Sequence, residues 1–213
     1  MVHIHKLKVI IFDYDDTLVK SSQALYGADC KTAEALGLEK PTRNTYFSLW
    51  GKPHKEMINI LHPRIDVNIY MKKYSEIYHP ASLELFKDVK NTLEILAKRG
   101  LHIALLSAKQ KKFLEEHLKH ASIRKYFDYI HSVESSPYKK PDHKVFNDLI
   151  NHFGLDPSEM LYIGDQVLDH EAASKAGLHF FAVTTGINTE QDFKNAGCNN
   201  IASSLNELLN KLS

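Results

Sequence analysis

The sequence has almost no net charge: 27 lysines and arginines oppose 26 aspartates and glutamates, leaving +1 with histidine neutral. Such a balance provides no bulk basic field for nucleic acid or for an anionic membrane surface. Cysteine is scarce as well. Cys30 and Cys198 lie far apart in no metal-type spacing, and a reduced, cytoplasmic setting is the simplest expectation. No apolar run approaches the roughly 20 residues that span a bilayer. The N-terminal segment is too short and too interrupted for a signal peptide, because His5, Lys6 and Lys8 precede its apolar run and Asp13 closes it. Internal repeats and low-complexity stretches are absent. With 43% apolar and 25% charged residues over 213 positions, the chain has the composition of an ordinary globular protein. It is long enough for one large domain, or for a core with a small second module.

What is present is concentrated in Lys8-Val-Ile-Ile-Phe-Asp-Tyr-Asp-Asp-Thr-Leu18. Four apolar residues bounded by charge predict a strand buried on both faces, as inside a parallel sheet. Asp13 then stands at the strand's carboxyl end, where open α/β sheets bind ligands. Asp13 and Asp15 point to the same side if the extended conformation persists. Two carboxylates packed together call for a cation or a shared proton. A polar loop with aspartate capping the next helix is the alternative for this stretch alone.

Residues 21 to 78 predict helix after helix. Ser21 or Ser22 caps the first, which Gly37 stops, and Thr42 caps a short second one carrying Tyr46, Phe47 and Trp50 and ended by Gly51. Pro53 suits the first turn of a third, with Met57, Ile60 and Leu61 on one stripe. Asp66 caps a fourth that holds Tyr70 and Tyr74 and closes at Pro80. Four helices are too many for one crossover, so an inserted helical module is expected. From Asp88 onward helix and strand alternate. Strands are predicted at 102–106, near 129–130, at 160–164 and at 179–183, with helices at about 89–99, 109–120, 142–153, 169–176 and 205–212. That alternation predicts a doubly wound parallel α/β sheet, Rossmann-like, with all carboxyl ends on one edge.

At those ends lie Asp13 and Asp15, Ser107 and Asp165, with Lys140 in a loop before a helix. Carboxylates from two strand ends form a hard-cation site of the kind that holds Mg²⁺ while sharing phosphate oxygens with a substrate. A lysine and a serine hydroxyl suit the remaining phosphoryl oxygens. An aspartate beside a metal and a lysine is a competent nucleophile, and a second aspartate can protonate the departing oxygen and then deprotonate water.

Asp13-Tyr-Asp-Asp-Thr17, Ser107, Lys140-Pro141 and Gly164-Asp-Gln-Val-Leu-Asp169, in this order, resemble the four motifs of the haloacid dehalogenase (HAD) superfamily, in its phosphoglycolate phosphatase-like branch with a small helical cap. The resemblance covers nearly the whole chain. It implies Asp13 as nucleophile and Asp15 as acid/base. It implies Mg²⁺ held by the Asp13 carboxylate, the Asp15 carbonyl and Asp165, with Asp169 orienting the metal shell. Ser107, Lys140 and Thr17 would hold the phosphoryl group. The core would comprise residues 1–18 and 82–213, and the cap residues 19–81. Ser107 is followed by Ala108, where many members carry asparagine. Lys139 competes with Lys140, which is preferred because it directly precedes Pro141.

Around the second and third cap helices, Arg43, Lys52 and His54 are candidate contacts to an anionic substrate, and a solvated cap surface is the alternative. Asp16 is expected to face solvent or cap a helix, Trp50 with Tyr46 and Phe47 to form cap core, and Gly186 to serve a turn. His3/His5 and His117/His120, among 13 histidines, lack partners at metal spacing. The expected activity is Mg²⁺-dependent hydrolysis of a small soluble phosphomonoester through an aspartyl-phosphate, by a cytoplasmic monomer or homodimer. The rivals are a phosphomutase of the same superfamily, a non-catalytic phosphate-binding module and an Asp-x-Asp glycosyltransferase. Neither nucleic acid nor membrane is expected as a partner.

Overall fold

A computed structural model of the protein describes residues 6–50, 52, 54–78 and 83–212. Expectations placed on His3, His5, Gly51, Pro53, Pro80 and Ala81 lie outside them. The chain divides into two compact units, Ser21–Leu83 and the remainder. The joins fall two residues later than expected on each side, because Val19 bridges to Asp15 and to Leu85.

The larger unit holds six parallel strands: β1 (Val9–Asp13), β2 (His102–Leu106), β3 (Tyr129–His131), β4 (Met160–Gly164), β5 (His179–Val183) and β6 (Ile201–Ala202). Their order is β3-β2-β1-β4-β5-β6, so the doubly wound parallel sheet is present. β1 and β4 lie at the centre, and every residue of both is buried. Val9 and Ile11 pack with Val145, Phe146, Leu149, Ala172 and Ala173 on one face. Ile10 and Phe12, alternating to the other face, are equally buried. Each fully buried side chain of this size contributes about 1.5–3 kcal/mol, which pins the strand that ends in Asp13.

The helical unit contains α1 (Ser21–Ala35), α2 (Arg43–Ser48), α3 (His54–Leu61) and α4 (Val67–Ile77). Thr42 caps α2 through the Thr45 amide, and Asp66 caps α4 through Asn68. In α3 the inward residues are Met57 and Ile58, while Ile60 is 49% exposed, so the expected stripe is rotated by about one residue. The sheet is flanked by α5 (Val89–Lys98), α6 (Lys111–His120), α7 (Asn147–Phe153), α8 (Val167–Ala176), α9 (Glu190–Asn195) and α10 (Leu205–Lys211). Gly154 and Gly177 end α7 and α8 with φ of 62° and 81°. α9 and the two-residue β6 carry too few residues to show a period and were not anticipated. Among the described residues, no helix is long and apolar enough to cross a membrane.

Candidate active site

Winding reverses between β1 and β4, the position at which open α/β sheets leave a crevice beyond the strand ends. Asp13 closes β1, Asp165 directly follows β4, and Asp169 lies in the first turn of α8. All three are buried, and one carboxylate oxygen of each falls within 4.8 Å of the others. Two glycines make this approach possible. A Cβ on Gly164 would overlap the Asp169 carboxylate, and one on Gly186 would overlap that of Asp165. Gly186, in the turn expected of it, also supplies space for a carboxylate.

Lys140 Nζ reaches into the cluster, 2.9 Å from Asp13 Oδ1 and 2.6 Å from Asp169 Oδ1. Tyr162 accepts from Lys140 at 3.1 Å, and its hydroxyl lies 3.2 Å from Asp169 Oδ1 and 3.4 Å from Asp13 Oδ1. Asp169 Oδ2 accepts the Gln166 amide at 3.0 Å, so both Asp169 oxygens are occupied. Lys139, the competing lysine, is exposed.

Burial raises the Asp13 carboxyl to about 7, with Asp169 and Asp15 adding to the rise and Lys140 opposing it. Asp165 is raised well above the carboxylate range by burial, then by Asp13, Asp169 and Asp16. Burial pulls the Lys140 ammonium down, but Asp13 and Asp169 together lift it well above its ordinary value. Three buried carboxylates against one ammonium must be relieved by protons or by a cation. Asp165 Oδ2 is buried and has no hydrogen-bond partner among the described residues. A hard divalent cation with oxygen ligands fits both features.

The other expected site residues are placed as follows. Asp15, expected beside a like charge, lies close enough to Asp13 to raise that carboxyl, and its own side chain also pairs with Lys109 at 3.1 Å. Thr17 Oγ1 donates to Asp165 Oδ1 at 3.4 Å and is fully buried, so it holds a carboxylate where a phosphate contact was expected. Asp16 does not face solvent: it is buried at φ 52°, and its carbonyl accepts from Thr185. Aspartate tolerates that left-handed conformation better than most residues.

Ser107, at the end of β2, and Lys140 line one small open cavity with Leu106, His131, Val133 and Tyr138. His131 is buried against Asp148 at 2.7 Å. His117, expected at the surface or half-buried, is buried and bonded to the Tyr14 hydroxyl at 2.6 Å.

The three cap candidates are engaged within the helical unit. Arg43 donates to Gln23 at 3.1 Å and lies over Tyr26 and Phe47. Lys52 pairs with Glu56 at 2.8 Å on the surface. His54 contacts buried Asp29 at 3.0 Å, and that carboxylate also accepts from Tyr46 at 2.6 Å and Tyr70 at 3.1 Å. Tyr46, Phe47 and Trp50 form an aromatic group, with Tyr46 buried.

The model for haloacid dehalogenase-like hydrolases matches residues 10–183. The chain belongs to this family. A phosphoglycolate phosphatase of Vibrio parahaemolyticus is 31% identical over 217 residues, covering 95% of each chain. Among solved structures, a haloacid dehalogenase-like hydrolase of Bacteroides fragilis is 31% identical with a TM-score of 0.79, covering 95% of this chain and 99% of that one. A predicted phosphoglycolate phosphatase of Haemophilus somnus shares the fold at a TM-score of 0.85 and 23% identity, covering 98% and 99%. In this haloacid dehalogenase-like hydrolase, sequence reasoning missed Tyr162, Lys109 and Asp29. Tyr162 was hidden inside an apolar strand, and no motif marks the other two.

Proposed function

We propose that this hydrolase is a Mg²⁺-dependent phosphatase that cleaves small phosphomonoesters through an aspartyl-phosphate on Asp13. The observation that carries the proposal is the buried, unpartnered Asp165 Oδ2, set among Asp13, Asp169 and a single lysine. Asp13 and Asp165, with the Asp15 carbonyl, would hold the ion. Asp169, whose oxygens are already occupied, fixes Lys140. When bound, Mg²⁺ supplies positive charge to the phosphoryl oxygens and keeps Asp13 ionised.

Asp13 attacks phosphorus, the ester P–O bond breaks, and Asp15 gives its proton to the departing oxygen. Asp15 then takes a proton from water, which attacks the phosphoenzyme, frees phosphate and restores Asp13. Lys140 and Ser107 meet the phosphoryl oxygens, and Thr17 steadies Asp165. Arg43, Lys52 and His54 are held by Gln23, Glu56 and Asp29 within the helical unit, so no substrate contact is assigned to them. Small organic phosphates such as phosphoglycolate are the first substrates to try, by similarity to the relative named above. The free thiols of Cys30 and Cys198 suit a cytoplasmic setting.

The test is hydrolysis of 2-phosphoglycolate and an aryl phosphate in oxygen-labelled water, with and without chelator. Label should enter the released phosphate, chelator should stop turnover, and Asp13→Asn should abolish it with the fold retained. Retained activity in Asp13→Asn refutes the nucleophile. Transfer of the phosphoryl group to a sugar in place of water refutes hydrolysis.

A further inference from the structure

We infer that Lys109 is a specificity-determining residue, the receptor for a carboxylate carried on the leaving group of the substrate. The inference rests on the assignment of Asp15 as the acid that faces the leaving oxygen. Lys109 is held in place along its whole length. Its amide donates to Ser107 Oγ at 3.2 Å, and its carbonyl accepts from the Val133 amide at 3.0 Å. Its ammonium lies 5.5 Å from the centroid of the Phe113 ring and 3.1 Å from Asp15 Oδ1. Ala108 beside it offers no polar side chain, so Lys109 is the group this loop turns toward Asp15.

Both partners are about three-quarters buried, with side-chain exposures of 24% and 26%. A general acid works at about 2.6–3.2 Å from the oxygen it protonates, which puts the Lys109 ammonium at most about 6 Å from the leaving oxygen. A carboxylate one carbon away from the ester oxygen falls within that span. Lys140 is unsuited to this task because Asp13 and Asp169 already hold it. The ammonium of Lys109 therefore has two carboxylates to choose between. Without substrate it holds Asp15. With an acidic leaving group it exchanges Asp15 for the substrate, and Asp15, relieved of the ion pair, can carry the proton it gives to the leaving oxygen. Recognition of the acid and readiness of Asp15 become one event.

The test compares 2-phosphoglycolate with 2-hydroxyethyl phosphate, which is similar in size and lacks the carboxylate, in the wild type, Lys109→Met and Lys109→Arg. The wild type should prefer the acid. In Lys109→Met the ratio of kcat/KM between the two substrates should fall by about 10- to 100-fold, the worth of one charge-assisted hydrogen bond, with most of the loss in KM for the acid. Lys109→Arg, which keeps the charge, should recover most of the ratio. If Lys109 only props Asp15 in place, both substrates lose by the same factor. That outcome, a ratio unchanged in Lys109→Met, or a wild type without preference overturns the inference and leaves the phosphatase assignment standing. A wild type silent on every phosphomonoester overturns both.

Discussion

Replacing Lys140 with methionine keeps the length of the side chain and removes the ammonium from among Asp13, Asp165 and Asp169. Lys140 lies 2.6 Å from Asp169 and 2.9 Å from Asp13, with only 16% of its side chain exposed. Breaking a buried ion pair from one side costs about 3–5 kcal/mol. For a chain of this size, each kcal/mol moves Tm by roughly 2–4 °C, so the metal-free variant should melt about 6–20 °C lower. The sign with pH follows from Asp13. Its carboxyl is raised from 3.8 to about 7 in the folded protein with Lys140 present, and losing Lys140 raises it further. A carboxyl raised on folding contributes stability that is complete below its unfolded value and is lost as pH rises through the folded value. The penalty should therefore be small at pH 5, larger at pH 8 and partly reversed by Mg²⁺. Thermal melts followed by circular dichroism, in chelator at the two pH values, measure it. A loss under about 1 kcal/mol at pH 8, or equal losses at both, refutes the view that Lys140 neutralises these carboxylates.

The raised Asp13 and Asp165 carboxyls must ionise before they ligate, so Mg²⁺ affinity measured by calorimetry should weaken as pH falls below about 7. Equal affinity at pH 6 and pH 8 would exclude them as ligands. Gly186→Ala drives a methyl group into the Asp165 carboxylate and should cost about 1–3 kcal/mol or weaken Mg²⁺ binding. A variant matching the wild type in both melting and metal titration contradicts that packing. Asp29→Ala leaves the Tyr46 hydroxyl without its carboxylate acceptor, at about 1–3 kcal/mol, while Tyr70 keeps the Asp29 carbonyl. Amide hydrogen exchange should quicken across residues 21–83, and unchanged protection there refutes a stabilising role for Asp29.

Much of the site is readable where chain direction and burial leave little freedom. Val9–Phe12 is apolar on both faces because a central parallel strand has no wet side, so Asp13 marks where the strand leaves the core. Met160–Gly164 ends in Asp165 for the same reason. Lys140 was separated from Lys139 only by its place before Pro141, and the structure turns Lys140 inward and Lys139 outward. Tyr162 was illegible because an aromatic residue in such a run reads as packing, and only the fold reveals that its hydroxyl meets Lys140. Asp16 was misjudged because an aspartate after a strand ordinarily seeks water, whereas a left-handed turn here folds it under Thr185. The pairing of Asp15 with Lys109, in addition to its like-charged neighbour Asp13, depends on how two loops meet, which spacing along one chain does not record.

Thr17 and Asp165 touch across 148 positions of sequence, and Lys140 and Asp13 across 127. During synthesis the first acidic cluster therefore emerges from the ribosome long before either counterpart exists. A nascent chain cut short of β4 carries the carboxylates of its first strand without Asp165 and Asp169 beside them. The acidic cluster is complete only once the fourth strand pairs with the first.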